Sequence, residues 1–229
     1  MPRRFDSPNL HKSKIKILGF LGKGQDHNHS EVHKAKVIEK THDKKLGFQA
    51  VRKYRPMESR RSLASQQSIY RNLKHLGLPV PRFSRTMLET IGFNKRMIII
   101  AENLEKKHGK LYDCHERGNP IFLRKLSIKK DQKLIESLAK DLATMHRAGI
   151  IPKHIDFWHF YRTGNWSFFR RGSWDRVIVD FDKMFRIPKK EIEHSEDVER
   201  NLKNISHNMS SKTWKEFHKI YIKEMGYLF

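Results

Sequence analysis

The chain has 229 residues, enough for one large domain or two small lobes, each with a core of its own. Apolar residues make up 37% and charged residues 32%, a polar balance, yet 14 Phe and 4 Trp argue against a disordered chain. Lys and Arg number 48 against 25 Asp and Glu, and the formal charge of +23 attracts phosphates, nucleic acid or an acidic membrane face rather than an uncharged apolar ligand.

In chain order, KIKILGFLG (14–22) reads as a strand running into glycine. The polar turn GKGQDHNHSE (22–31) follows, then an alternating strand, VHKAKVIEK (32–40), and a third strand, LGFQAVRKY (46–54). Short connections make this an antiparallel start. SLASQQSIYRNLKHLG (62–77) spaces Leu63, Ile69, Leu73 and Leu76 as on a helix, which Gly77 and the prolines of GLPVP (77–81) end. RFSRTMLE (82–89) and RMIIIAEN (96–103) read as a hairpin, and the linker NLEKKHG closes a first lobe. DQKLIESLAKDLATMHRAG (131–149) sets Leu134, Leu138, Leu142 and Met145 on one helical stripe ending at Gly149. A strand, RVIVDFD, and two amphipathic C-terminal helices complete the chain. Ser195 caps the first helix, and a turn near Asn208–Ser211 parts the two.

The lone cysteine, Cys114, leaves no intramolecular disulfide and fits a reducing compartment. MPRRFDSPNL lacks the apolar stretch of a secretory signal, and no window approaches the roughly 18 apolar residues of a membrane span. The expectation is a cytoplasmic protein that rests on a membrane face through its charge.

Two features carry chemistry. VIVDFDKM (177–184) ends an apolar run with Asp180 and Asp182, which on an extended chain point the same way and repel unless a cation or donors lie between them. A turn after a core strand is the plain alternative to a divalent-metal site. Earlier, Gly22 and Gly24 supply a glycine turn of the kind whose backbone N–H groups can approach phosphates closely, with Val32 beyond it. QDHNHSE makes that turn longer than the protein-kinase pattern, and a third glycine is missing.

Taken in order, further stretches resemble the bacterial lipopolysaccharide-core kinases, the Kdo and heptose kinases. VRKYRPM (51–57) is similar to their third strand, LKHLGLPVPRFSR (73–85) to the segment after the first helix, and VIVDFDKMFR (177–186) to the metal-binding strand. RNLKNISHNMSSKTWKEFHKIY (200–221) is similar to their C-terminal helix pair. The resemblance implies an α+β, bilobal protein-kinase-like fold: a small antiparallel-sheet N-lobe with one main helix, and a mainly helical C-lobe. The boundaries expected are a basic segment at 1–13, an N-lobe at 14–103 and a C-lobe at 104–229. It also implies ATP and Mg²⁺ as cofactors and an anionic glycolipid or sugar acceptor. Nucleic acid ranks behind that acceptor. Residue by residue, Gly22, Gly24, Val32, Ala50 and Arg52 fall at nucleotide positions, and Glu102 and Leu104 at the interlobe hinge beside adenine. Asp180 falls at the metal position, with Asp182 in support.

GIIPKHIDFWHF (149–160) aligns with the family's catalytic loop and sets His159 at the second metal position. The base position holds His154, the histidine before it is replaced by Pro152, and an aspartate follows at Asp156. Either Asp156 orients the acceptor hydroxyl or the His154 imidazole takes its proton. The competing reading is an inactive kinase-like module binding anionic glycolipid, nucleic acid or an acidic protein. Gln66 stands where a glutamate would pair with the strand-three cation.

Among other clusters, His27, His29 and His33 read as a histidine-rich polar loop, since no cysteine or acidic partner joins them. Trp158, Trp166, Phe168 and Phe169, interleaved with Arg162, Arg170 and Arg171, read as a core edge under a basic surface. Single-strand stacking is the alternative.

Overall fold

The computed structural model describes residues 15–23, 30–37, 48–54, 59–81, 83–91, 94–102, 104, 108, 110–111, 115–116, 119–163 and 173–226. The chain forms two compact units, one of Met1–Ser59 with Pro81–Lys107 and one of Arg60–Val80 with His108–Phe229.

The first unit holds a five-stranded antiparallel sheet of β1 (Ile15–Lys23), β2 (Ser30–Val37), β3 (Phe48–Tyr54), β4 (Phe83–Ile91) and β5 (Asn94–Glu102). Its spatial order is β1-β2-β3-β5-β4. Each expected strand of this region is present, as is the hairpin of β4 and β5. Register shifts interrupt β1 near its glycines, between Ile17 and Gly19 and between Phe20 and Gly22, where missing side chains weaken regular pairing.

In the second unit, α1 (Ser59–His75) buries Ile69 and Leu73, four residues apart. Leu76 was expected on the same stripe but is exposed, because the helix ends at His75 and Gly77 turns the chain away with a φ of 74°. A short helix, α2 (Ile121–Lys125), leads into α3 (Ile128–Arg147), the spine of this unit. The expected start of α3 at residue 131 coincides with a break in helical geometry: Asp131 has a φ of −123°, and its carboxylate accepts from the Ser127 N–H at 2.9 Å. Leu134, Ile135, Leu138, Leu142 and Met145 are buried on one stripe. They pack along α5 (Ser211–Met225), which buries Phe217, Tyr221 and Met225 at a spacing of four.

Ser195 and Ser210 cap α4 (Glu196–His207) and α5, their hydroxyls accepting from Val198 N at 3.4 Å and Thr213 N at 3.2 Å. The sequence reading left the strands of this unit largely unassigned. Short strands β6 (Lys110–Leu111), β7 (His115–Glu116) and β8 (Asn119–Pro120) precede α2, and β9 (Ile150–Pro152), β10 (Trp158–Thr163), β11 (Ser173–Ile178) and β12 (Met184–Arg186) follow α3. β10 lies between β11 and β6, and β9 pairs with β12. Gly149 makes the passage from α3 to β9, with a φ of 72° and the Ile187 carbonyl where a Cβ would sit. Among the described residues, no helix is long and apolar enough to cross a membrane. Cys114, His27, His29, Trp166, Phe168 and Phe169 lie outside the described residues.

Candidate functional site

The first unit brings most of the expected nucleotide residues onto neighbouring strands. Gly22 of β1 stands opposite Val32 of β2, which stands opposite Val51 of β3. Ala50 and Arg52 flank Val51, facing His33 and Glu31 on one side and Ile100 and Ile98 of β5 on the other. Glu102 closes β5 opposite Phe48, and Leu104 is half-buried just beyond. Gly24 lies outside the described residues.

The second unit gathers the rest around the β10–β11 hairpin. His159 faces Val177 and Trp158 faces Ile178 across the antiparallel pair. One step further, Val179 N donates to the Phe157 carbonyl at 2.8 Å. That bond draws the end of β11 against the 3₁₀ turn Ile155–Phe157, so Asp156 and Asp180 come from adjoining backbone at one end of the hairpin.

Asp180 sits where extended structure stops. Its backbone is left-handed, with φ 57° and ψ 45°, the only positive φ outside glycine among the described residues. A 3₁₀ turn, Phe181–Lys183, follows, closed by Lys183 N donating to the Asp180 carbonyl at 2.8 Å. The expectation that Asp180 and Asp182 share one side of a strand is therefore corrected: β11 ends at Ile178, and alternation does not reach either aspartate. The Asp180 carboxylate is one-third exposed and meets the Lys183 ammonium at 3.4 Å. Non-glycine residues in this conformation cost about 1–2 kcal/mol and persist where surrounding structure imposes them, often at functional sites.

α1 braces this turn. The Tyr70 and Phe181 rings lie 5.6 Å apart, and Arg186 of β12 donates to Ser68 through its carbonyl at 3.2 Å and its hydroxyl at 3.1 Å. Gln66 is buried on the same helix.

His154 goes elsewhere. It is exposed and, with Lys153, borders a cavity of about 460 Å³ walled by α4 and floored by β9 and β12; neither Asp180 nor His159 lines it. The structure thus separates the two proposed bases, placing Asp156 in the turn against the end of β11 and His154 at the α4 side.

Sequence reasoning missed the groups that hold this loop in place. Asn201, buried on α4, donates through Nδ2 to the Pro152 carbonyl at 2.8 Å. Behind it, His146 of α3 meets the Tyr221 hydroxyl through Nδ1 at 2.8 Å, ring edge to ring face at 84°. Burial drives the His146 pKa down to about 3, with the Asn201 amide opposing, and burial raises that of Tyr221. Among the described residues, His146 Nε2 and Asn201 Oδ1 have no hydrogen-bond partner. These two buried polar contacts, α5 to α3 and α4 to the loop, were invisible in sequence, since their members lie far apart along the chain.

A pH dependence follows. The unfolded chain protonates His146 near its ordinary 6.5 and the folded chain only near 3, so the unfolded state binds more protons between these values. Stability is therefore full above 6.5 and falls as pH drops towards 3, by up to about 1.4 kcal/mol per pH unit from this group. Urea midpoints at pH 7 and pH 4.5 measure it, and His146→Gln should flatten the difference by about 2–3 kcal/mol.

Antiparallel strands in one unit, and in the other a strand hairpin that runs into Asp180 beside a helical core, make a mixed α+β chain with small antiparallel sheets. The lipopolysaccharide kinase (Kdo/WaaP) family model matches residues 22–221, and the chain belongs to that family, whose members are kinases. Among solved structures, the chain is similar to one described as WaaP in complex with acyl carrier protein, at 14% identity and a TM-score of 0.47, covering 90% of this chain and 79% of that one. Comparison with curated proteins gives no match.

Proposed function

We propose that this kinase moves the γ-phosphoryl group of ATP, with Mg²⁺, to a hydroxyl of an anionic lipopolysaccharide-core sugar. The acceptor oxygen forms the new P–O bond, the bond to the β-phosphate breaks, ADP leaves, and the hydroxyl proton passes to the Asp156 carboxylate. Gly22, Gly24 and Arg52, in an N-lobe of residues 14–103, hold phosphates, while Ala50, Val32, Glu102 and Leu104 frame the base. The C-lobe of residues 104–229 supplies the metal and acceptor groups.

The observation that carries this reading is the left-handed backbone of Asp180 at the mouth of β11. The residues fit a hard divalent cation held by one carboxylate, because magnesium keeps several waters and takes its other oxygens from substrate phosphates. His159, half-buried on β10, offers nitrogen, a less natural donor for magnesium, so its part is secondary to that of Asp180. When bound, the ion neutralises charge on the β- and γ-phosphates. The +23 charge would keep the chain close to anionic glycolipid at the inner-membrane face.

Thermal-shift titration with ATP, with and without Mg²⁺, tests this. Nucleotide at a hundred times its dissociation constant should stabilise the fold by about 2.7 kcal/mol. That gain should require metal, vanish in Asp180→Ala and survive in Asp182→Ala. No shift at millimolar ATP would support the inactive binding module instead.

A further inference from the structure

We infer that the cavity beside His154 is a subsite for a phosphate substituent of the acceptor, lined by neither Asp180 nor His159; as an acceptor site it rests on the kinase reading above. The space is about 460 Å³, enough for a sugar ring with its anionic group. Its floor is the β9–β12 strand pair, and α4 forms one wall. Three basic side chains line it: Lys153 and His154 from the loop, and Arg200 from the first turns of α4.

One carboxylate opposes them. Asp197 accepts from Arg200 Nη1 at 3.1 Å, with the arginine side chain 67% exposed, so the other N–H donors of the guanidinium still reach solvent. Lys153 has no ionic partner among the described residues; its backbone N–H donates to the Lys183 carbonyl at 2.8 Å, which fixes the start of the loop. Two permanent cations against one anion leave the cavity positive. The buried Asn201 also lines the wall and holds the Pro152 carbonyl, so the rim is built on fixed backbone rather than on two free surface chains.

Position in the loop supplies the function. His154 lies two residues before Asp156, a span of about 7 Å or less along the backbone. An acceptor anchored by its anionic group against Lys153, His154 and Arg200 would carry a neighbouring hydroxyl to Asp156. His154 is then a binding group and Asp156 the base, which resolves the alternatives left open by the sequence.

The test is binding to the full chain, without nucleotide and without turnover. Inorganic phosphate is titrated first, followed through the imidazole resonances of His154 assigned with His154→Asn. Arg200→Gln and Lys153→Gln should each weaken phosphate about tenfold, as expected for losing one charge-assisted contact. Lys190→Gln removes the same charge from an exposed position off the cavity and should leave affinity within about twofold. Equal weakening by Lys190→Gln would mean diffuse attraction by net charge and would overturn the subsite.

The second arm titrates delipidated core oligosaccharide, phosphorylated or enzymatically dephosphorylated. Arg200→Gln should weaken the phosphorylated form about tenfold and leave the dephosphorylated form unchanged. Equal affinities of wild-type protein for the two forms would show that the cavity takes free phosphate, not the acceptor, and would sink the assignment. Because neither arm uses turnover, failure of ATP and Mg²⁺ to stabilise the protein would count against the kinase reading alone.

Discussion

Asp180→Ala is expected to lower phosphotransfer by at least about 10²–10³-fold, the usual loss when one group that stabilises transferring charge is removed. Stability should move the other way in a related variant. With φ at 57°, the aspartate pays a conformational cost that glycine does not, so Asp180→Gly should be about 1 kcal/mol more stable than Asp180→Ala and equally inactive. Both variants lose the 3.4 Å contact with Lys183, so that loss cancels in the comparison. Asp180→Asn separates charge from backbone, because asparagine tolerates the left-handed region and keeps the size while losing the anion. Denaturant midpoints and initial rates on the same preparations decide it. An Asp180→Gly protein less stable than Asp180→Ala would show that the turn is not strained, and a near-normal rate in Asp180→Asn would remove the metal role.

Periodicity made the first sheet and the long helices legible. Ile69 with Leu73, and Leu134 through Met145, announce their buried faces at helical spacing. Two- and three-residue strands such as β6, β9 and β12 are too short to show alternation and exist because partners far along the chain pair with them. Of the residues expected at the site, Gly22 stands opposite Val32, and the backbones of Asp156 and Asp180 adjoin at one hairpin end, juxtapositions that residue order alone does not announce. What failed was the local geometry at Asp180. Alternation assumes extended backbone, and a left-handed residue cancels it without leaving any trace in composition. The supports of the loop were illegible for another reason: His146, Asn201 and Tyr221 act through contacts of 49 and 75 residues' separation.

The buried ion pair of Asp141 and Arg176 should yield the largest stability change in the molecule. Arg176 of β11 donates to the Asp141 carboxylate of α3 through Nε at 2.6 Å and through Nη2 at 2.9 Å, a two-pronged contact with the aspartate 7% exposed. Burial raises the Asp141 pKa, and the arginine's hydrogen bond and charge pull it back. Removing only the arginine leaves a buried carboxylate without its partner, so Arg176→Ala should cost about 3–5 kcal/mol. A domain of this size is stable by only about 5–15 kcal/mol, so the loss should also lower the folded fraction at growth temperature. The sign of the pH response identifies the cause. With its counter-charge gone, Asp141 holds a proton in the folded state at a pH where the unfolded chain has released it, so acidification favours the folded variant at this site. The deficit of Arg176→Ala relative to wild type should shrink as pH falls from 7 towards 5, whereas a packing defect would not change with pH. Asp141→Leu with Arg176→Met, which replaces both charges by apolar groups, should recover most of the loss. Because β11 runs directly into Asp180, the double variant also asks whether the pair serves only the fold. Recovery of stability with wild-type ATP and Mg²⁺ stabilisation would assign it that role alone, whereas stability without nucleotide response would make the helix-to-strand clamp a positioning device for the aspartate at its end.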